Sequence, residues 1–168
     1  MPEERTPKRA RRDKAEGKSP STQAGEFVRE EIEHVRAGKH GVRSSKQAIA
    51  IGLSKARRAG VALPAPKAGT TSARTRKSAA RDNARGRTAP QRKPSPRRSR
   101  ATSAALEREG RTSASSSALG QNARSAAARR SSAQRSASAR QAARTKGAKV
   151  RKSAARKGAR TRAESRGP

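Results

Sequence analysis

The chain has 168 residues, a net charge of +32 at pH 7 and 29% hydrophobic residues, and Phe27 is its single aromatic side chain. It contains no cysteine, which excludes disulfides, thiol nucleophiles and thiolate metal sites. Low hydrophobicity with high net charge predicts a mostly disordered chain, because little apolar surface is available to offset the conformational entropy lost on folding. A polycation of this density needs a polyanion, and the candidates are DNA, RNA, an anionic membrane and an acidic protein.

The composition divides the chain into three segments. Residues 1–19 are expected to form a disordered basic arm rich in Pro, Lys and Arg. Residues 20–63 hold ten of the thirteen large aliphatic or aromatic residues that follow Met1, so one small core is expected there. Residues 64–168 are expected to be a disordered, low-complexity tail of Ala, Arg and Ser.

The patterned region is expected to fold as an all-α hairpin of two helices. The first helix is expected over about 22–37, followed by Gly38 as a left-handed stop. Its apolar face is expected to hold Phe27, Val28, Ile32 and Val35, with Phe27 at the edge. Glu26, Glu30 and Glu33 are expected on the opposite face, in solvent.

The second helix is expected over about 45–59, since Ser44 and Gln47 fit a capping box and Gly60 provides the stop. Small residues recur along one face every four positions, flanked by two larger ones; the packing set is Ala48, Gly52, Ala56, Ile49 and Leu53. This spacing lets another backbone or a large side chain approach closely, and the ring of Phe27 is the only large ring available. Ile51 falls on the polar side, where it is a candidate contact for a homodimer formed through the hairpin.

One stretch of the tail has helical character of its own. Residues 121–146 contain no Gly or Pro and are rich in Ala and Arg, which are good helix formers. We expect a conditional helix there, formed when phosphates screen its charge repulsion. It has no apolar stripe with which to pack.

The sequence offers little catalytic or metal chemistry. His34 and His40 are the only histidines, and we expect both to be solvated near a helix end, because a metal site would need further ligands. The segment GLSKARRAG (52–60) lacks the phosphate-loop pattern. We therefore expect no enzyme activity, no cofactor and no metal.

Nucleic-acid binding is the strongest functional signal. Residues 65–168 carry 29 Lys or Arg against 4 Asp or Glu, and Arg outnumbers Lys 22 to 7. Two tetrads, TPKR (6–9) and SPRR (95–98), match the pattern of a turn that presents two cations together. Because the tail has no aromatic residue for base stacking, binding is expected to rest on phosphate neutralisation with little base readout. The candidate contact residues are Lys8, Arg9, Lys55, Arg57, Arg58, Arg76, Lys77, Arg81, Arg97, Arg98, Arg129, Arg130, Arg151, Lys152, Arg156 and Lys157.

Two resemblances bear on function. The segment GKHGVRSSKQAIAIGLSKARRAGV (38–61), with EFVREEIEHVRAGK before it, resembles a module of small, basic, uncharacterised bacterial proteins that carry Ala/Lys/Arg-rich tails. The tail is similar in composition to bacterial histone-like proteins and linker-histone tails. This second resemblance implies a histone-like, nucleoid-associated protein that binds DNA without sequence preference.

Alternatives stay open at this stage. An RNA- or ribosome-associated basic protein would show the same composition, and the hairpin could be a protein-interaction module with a polycationic tether. Membrane insertion is not expected, since the longest apolar run is the six residues AIAIGL. The N-terminus lacks the apolar stretch of a secretory signal, so a cytoplasmic, nucleoid-associated location is expected.

Overall fold

The computed structural model describes residues 2–88 and 95–164, except for the side chains at 145, 146 and 149. These ranges form α-helices, one 3-10 helix and no strand. The elements are α1 (Arg5–Ala15), α2 (Pro20–Arg36), α3 (Ser45–Arg58), α4 (Ala73–Thr88), α5 (Pro96–Glu107), the 3-10 helix η1 (Thr112–Ala114), α6 (Ser116–Ala128) and α7 (Ser132–Glu164). The chain divides into two compact units, Met1–Asn122 and Ala123–Pro168.

The expectation of a mostly disordered chain with one helical hairpin is wrong. The segment expected as a disordered arm contains α1, and the segment expected as a disordered tail contains α4 to α7. The two helices of the expected hairpin are present as α2 and α3. The region 121–146, expected to become helical only against phosphates, is already divided between α6 and α7.

The first unit is held together by close packing of α1, α2 and α3. One core cluster joins the three helices through Ala10, Ala24, Phe27, Ala56 and Val61, with Leu53, Ala59 and Leu63 packed against it. Phe27 is fully buried, and not at the edge of a face as expected. Because most members are alanines, the helix backbones come close and few large side chains are needed to fill the space.

Helices α2 and α3 touch backbone to backbone at Gly52. A Cβ placed there would lie 2.6 Å from the Cα of Val28 and 3.0 Å from the carbonyl oxygen of Phe27. The small-residue face of α3 therefore contacts the backbone of α2 at Gly52. The ring of Phe27, which was expected there, does not supply the nearest atoms. Val28, Ile32, Ile49 and Leu53 are partly buried around this contact.

A second core cluster lies at the other end of the α2–α3 pair. It consists of Val35, Val42, Ala48 and Ala114, with Ile32 and Ile51 packed against it. The prediction that Ile51 lies on the polar side is wrong, because its side chain is half-buried against this cluster. Ile51 therefore packs within the fold and is not the exposed residue from which a homodimer contact was expected.

Residues from the expected tail complete this unit through backbone contacts. The amide of Gly41 donates to the carbonyl of Leu106, and that of Val42 to the carbonyl of Gly110, both at 2.9 Å. Ala114 of η1 is fully buried in the second cluster. Such contacts need no large apolar side chain, and so the low hydrophobicity of the tail did not predict them.

Helix α4 docks on α3 in the same way. Ala79 is 5% exposed, and the side-chain amide of Asn83 donates to the carbonyl of Leu63 at 2.8 Å. A Cβ on Gly86 would overlap the carbonyl oxygen of Arg57. The glycine allows the close approach of α4 to the end of α3.

Candidate nucleic-acid interface and glutamate–histidine cluster

The second unit carries the densest positive charge of the chain. Residues 123–168 contain 15 Lys or Arg against the single acidic residue Glu164. Within the described part of this unit, Arg160 pairs with Glu164 at 2.8 Å. The six cations that the sequence singled out here are all exposed: Arg129, Arg130, Arg151, Lys152, Arg156 and Lys157.

Local sequence explains why this basic segment is helical. Ser131 and Gln134 form a capping box at the start of α7, since each backbone amide donates to the other side chain at 3.1–3.2 Å. Gly147 interrupts the helix with φ 64° and ψ 165°. Val150 is 54% exposed, and basic residues occupy all sides of the helix, as expected of a helix that is not packed by an apolar stripe.

The cations of the first unit are more often paired with carboxylates. Arg9 lies 3.6 Å from Glu26, and Arg58 lies 3.8 Å from Asp82. Lys8 pairs with Glu4 one turn before it at 3.3 Å. Of the remaining candidates here, Lys77, Arg81, Arg97 and Arg98 are exposed and Arg76 is half-buried.

The two Pro-basic tetrads lie within helices, and the prediction of cation-presenting turns is wrong for both. TPKR lies inside α1, where Thr6 is 6% exposed. In SPRR, Ser95 caps α5 by accepting from the amide of Arg98 at 3.4 Å, and Pro96 is the first helical residue. The serine and proline therefore serve to begin a helix.

Two of the candidate cations are engaged inside the fold. Arg57 is 7% exposed, and its guanidinium donates to the carbonyl oxygens of Leu63 and Pro64 at 3.3 and 3.2 Å. Burial lowers the pKa of Arg57, with the charge of Asp82 acting in the opposite direction. Lys55 donates to Glu31 at 2.5 Å. Their contacts inside the fold already engage the charged groups of both residues, so neither is expected to bind phosphate.

A cluster of histidines and glutamates lies where α2 meets the turn to α3. Glu31 is 1% exposed, and its Oε1 is 3.3 Å from Nε2 of His40. Nε2 of His34 lies 3.0 Å from Oε1 of Glu3 and 3.7 Å from Oε1 of Glu30. The two imidazole rings meet edge to face at 6.3 Å. The expectation of two solvated histidines is wrong, since both side chains are less than a fifth exposed.

Charge within this cluster is partly compensated. Hydrogen bonds lower the pKa of Glu3 from 4.5 to about 2, and the bond from Lys39 has a larger effect than the bond from His34. Glu30 is 5% exposed, and the placement of Glu30 on a solvent face is therefore wrong. Its Oε2, and Oε1 of Glu31, are buried without a hydrogen-bond donor.

The sequence contains one pattern that indicates this cluster, although the spacing of apolar residues along the helix does not. Glu31 and His34 are three residues apart, a Glu-x-x-His spacing that puts both side chains on one face of a helix. His40 is brought back to them by the turn that begins at Gly38, whose φ is 76°. The helical pattern assigned Glu26, Glu30 and Glu33 to solvent and gave no sign that Glu30 and Glu31 are buried.

Part of the chain matches a protein family whose function is unknown. Residues 11–67 match this family (DUF6496), about a third of the chain, and the match contains α2, α3, Glu31 and both histidines. No curated protein and no solved structure matched the chain. The match agrees with the resemblance of residues 38–61 to an uncharacterised family. No described helix is both long and apolar enough to cross a membrane.

Proposed function

We propose that the protein binds nucleic acid without sequence preference, by neutralising phosphates with the exposed cations of residues 123–164, and that duplex DNA is its ligand. The observation that carries the proposal is the ratio of 15 Lys or Arg to one Glu in residues 123–168. With one glutamate for fifteen cations, the carboxylate side chains of this segment can neutralise only a small part of its charge. Phosphate oxygens are the partners that such a surface requires.

The helical form of the segment changes how the cations would act. In a helix they are spaced at about 1.5 Å per residue and radiate to all sides, so only part of them would face one duplex at a time. Arginine supports phosphate binding because its guanidinium donates two parallel hydrogen bonds. With no aromatic residue after Phe27, base stacking contributes nothing, and base identity should matter little.

Salt dependence tests the proposal directly. If on the order of 10 phosphates are engaged, the logarithm of the association constant should fall against the logarithm of salt concentration with a slope of about −9. Fluorescence anisotropy with a labelled random duplex measures this slope on the full chain. A slope shallower than about −3, or a strong preference for one sequence over random duplex, would refute the proposal.

A pair of charge-matched variants locates the interface. Changing Arg151, Lys152, Arg156 and Lys157 to Gln removes four exposed cations and should make the slope shallower by about 2 to 4. The control changes four cations that already pair with carboxylates and are not candidate contacts: Arg12, Lys18, Arg29 and Arg43. It removes the same charge and should change the slope by less than about 1. Equal effects of the two variants would show that net charge alone decides binding.

Competition separates the nucleic-acid classes. Unlabelled duplex DNA and a structured RNA of equal phosphate content are titrated against the labelled duplex at one salt concentration. DNA should displace the probe at least as well as the RNA. A clear preference for RNA would replace duplex DNA with RNA as the ligand.

A further inference from the structure

The glutamate–histidine cluster belongs to the first unit and holds a deeply buried carboxylate, that of Glu31. Glu31 is 1% exposed, and Lys55 occupies its Oε2 at 2.5 Å. Its Oε1 is also buried, and no donor reaches it. A buried acceptor without a partner destabilises the fold, so a ligand for this oxygen would stabilise it.

An imidazole nitrogen of His40 lies close to that oxygen. Nδ1 of His40 is 3.1 Å from the carbonyl oxygen of Gly41, and it must carry a proton to donate there. In the neutral imidazole, Nε2 then holds the lone pair, and it lies 3.3 Å from Oε1 of Glu31. Two lone pairs so close repel one another, and either a proton on Nε2 or a metal ion between the two atoms would remove the repulsion.

The distances suit a metal ion. Zinc lies about 2.0–2.2 Å from nitrogen and carboxylate ligands, so two ligands of a tetrahedral site are about 3.4 Å apart. The contact between Glu31 and His40 has this length. His34 supplies a third ligand, because one ligand atom from each of Glu31, His34 and His40 lies within 4.8 Å of the other two.

The surroundings of His34 resemble those of a metal-bound histidine. Such a histidine usually donates its other ring N–H to a carboxylate, which orients the ring and increases its basicity. Nε2 of His34 lies 3.0 Å from Oε1 of Glu3 and 3.7 Å from Oε1 of Glu30. The carboxylates of Glu3 and Glu30 would orient the ring of His34 in this way.

We propose that Glu31, His34 and His40 bind one divalent transition-metal ion, of which zinc is the best fit. Two imidazoles and one carboxylate are borderline ligands that suit zinc and its neighbours, and three protein ligands leave a fourth position for water. The acidic side chains of the cluster outnumber its two lysines, Lys39 and Lys55, so the site is locally anionic in a strongly cationic chain. A bound ion would join α2 to the turn that leads into α3.

A second set of three residues in the same cluster is a weaker candidate for the metal site. Glu3, Glu30 and His34 also bring ligand atoms within 4.8 Å of one another. Oε1 of Glu3 is already shared by Lys39 at 2.7 Å and His34 at 3.0 Å. The first group, with the unpartnered oxygen of the more deeply buried Glu31, is therefore the site.

Zinc titration of the full chain tests the proposal. The protein is stripped with a chelator, dialysed and titrated with zinc chloride by isothermal calorimetry, and one equivalent should bind. His40→Ala and Glu31→Gln should each weaken binding at least tenfold. The control is Glu33→Gln, an exposed glutamate on the same helix, and it should bind zinc as the parent does. Absence of a zinc site, or equal affinity in all variants, would overturn the proposal.

A second measurement on the unsubstituted chain guards against variants that fail to fold. The chain has only two histidines, so their modification by diethyl pyrocarbonate can be followed one by one with peptide mass spectrometry. Zinc should slow the modification of both His34 and His40 at least tenfold, and magnesium should not. Unchanged rates with zinc would show that the pair of His40 and Glu31 is held by a proton and not by a metal.

Discussion

Gly52→Ala tests whether α2 and α3 touch at their backbones. The new Cβ would stand 2.6 Å from Cα and 2.9 Å from the amide nitrogen of Val28, where ordinary contacts begin at 3.4 Å. Because the obstacle is helix backbone and not a flexible side chain, α2 must retreat by about 0.8 Å from α3. Overpacking of this kind costs about 1–3 kcal/mol, and we take the upper value.

Helix propensity acts in the opposite direction. Alanine is the better helix former by about 1 kcal/mol, so the net loss should be about 2 kcal/mol. For a domain of this size, such a loss lowers the melting temperature by about 8 °C. Thermal unfolding of the full chain, followed by circular dichroism at the helix band, measures this change.

Gly25→Ala is the matched control. Gly25 is an exposed residue of α2, and a Cβ there would meet nothing within 4 Å. This substitution keeps the propensity gain without the clash and should raise the melting temperature by about 4 °C. If Gly52→Ala also raises the melting temperature, α2 and α3 do not touch at Gly52 and the reasoning is refuted.

Two further predictions separate cations that build the fold from those that would bind phosphate. Arg57→Gln leaves the carbonyl of Pro64 without its guanidinium donor, while that of Leu63 keeps the amide of Asn83. The change should therefore destabilise the chain by about 1–3 kcal/mol in urea unfolding and leave the salt slope of DNA binding unchanged. A normal stability with a shallower slope would place Arg57 in the interface instead. A hydrogen bond to Asp13, and a weaker effect of one to Glu16, raise the pKa of Lys18 above 10.5. The contribution of Lys18 to the free energy of unfolding is therefore complete below pH 10.5 and is lost as the pH rises through the raised pKa. The difference in melting temperature between the parent and Lys18→Gln should therefore be constant from neutral pH to about 10 and shrink beyond 10.5, and a constant difference throughout would contradict this account.

The sequence alone was sufficient where the signal is local. Helices expected over about 22–37 and 45–59 occur as Pro20–Arg36 and Ser45–Arg58. Ser44 caps the second of them by accepting from the amide of Gln47 at 3.2 Å, and Gly60 follows it with φ 88°. Caps and stops depend on residues a few positions apart, so they can be recognised without knowledge of the fold. The excess of positive charge after residue 64 is likewise a property of composition.

Only the tertiary structure decided which residues meet across long separations in the chain. Gly86 has no side chain, so the carbonyl of Arg57 can approach it closely, and the amide of Gly41 donates to the carbonyl of Leu106. Both are contacts between backbones, and such contacts leave no hydrophobic periodicity in the sequence. Nothing in the sequence around Glu31 distinguishes it from a surface glutamate of α2, and its partner Lys55 lies 24 residues later. A side chain is buried by what packs over it, and that partner can lie anywhere in the chain. For this reason the composition predicted disorder where small residues and backbone hydrogen bonds form a packed helical unit.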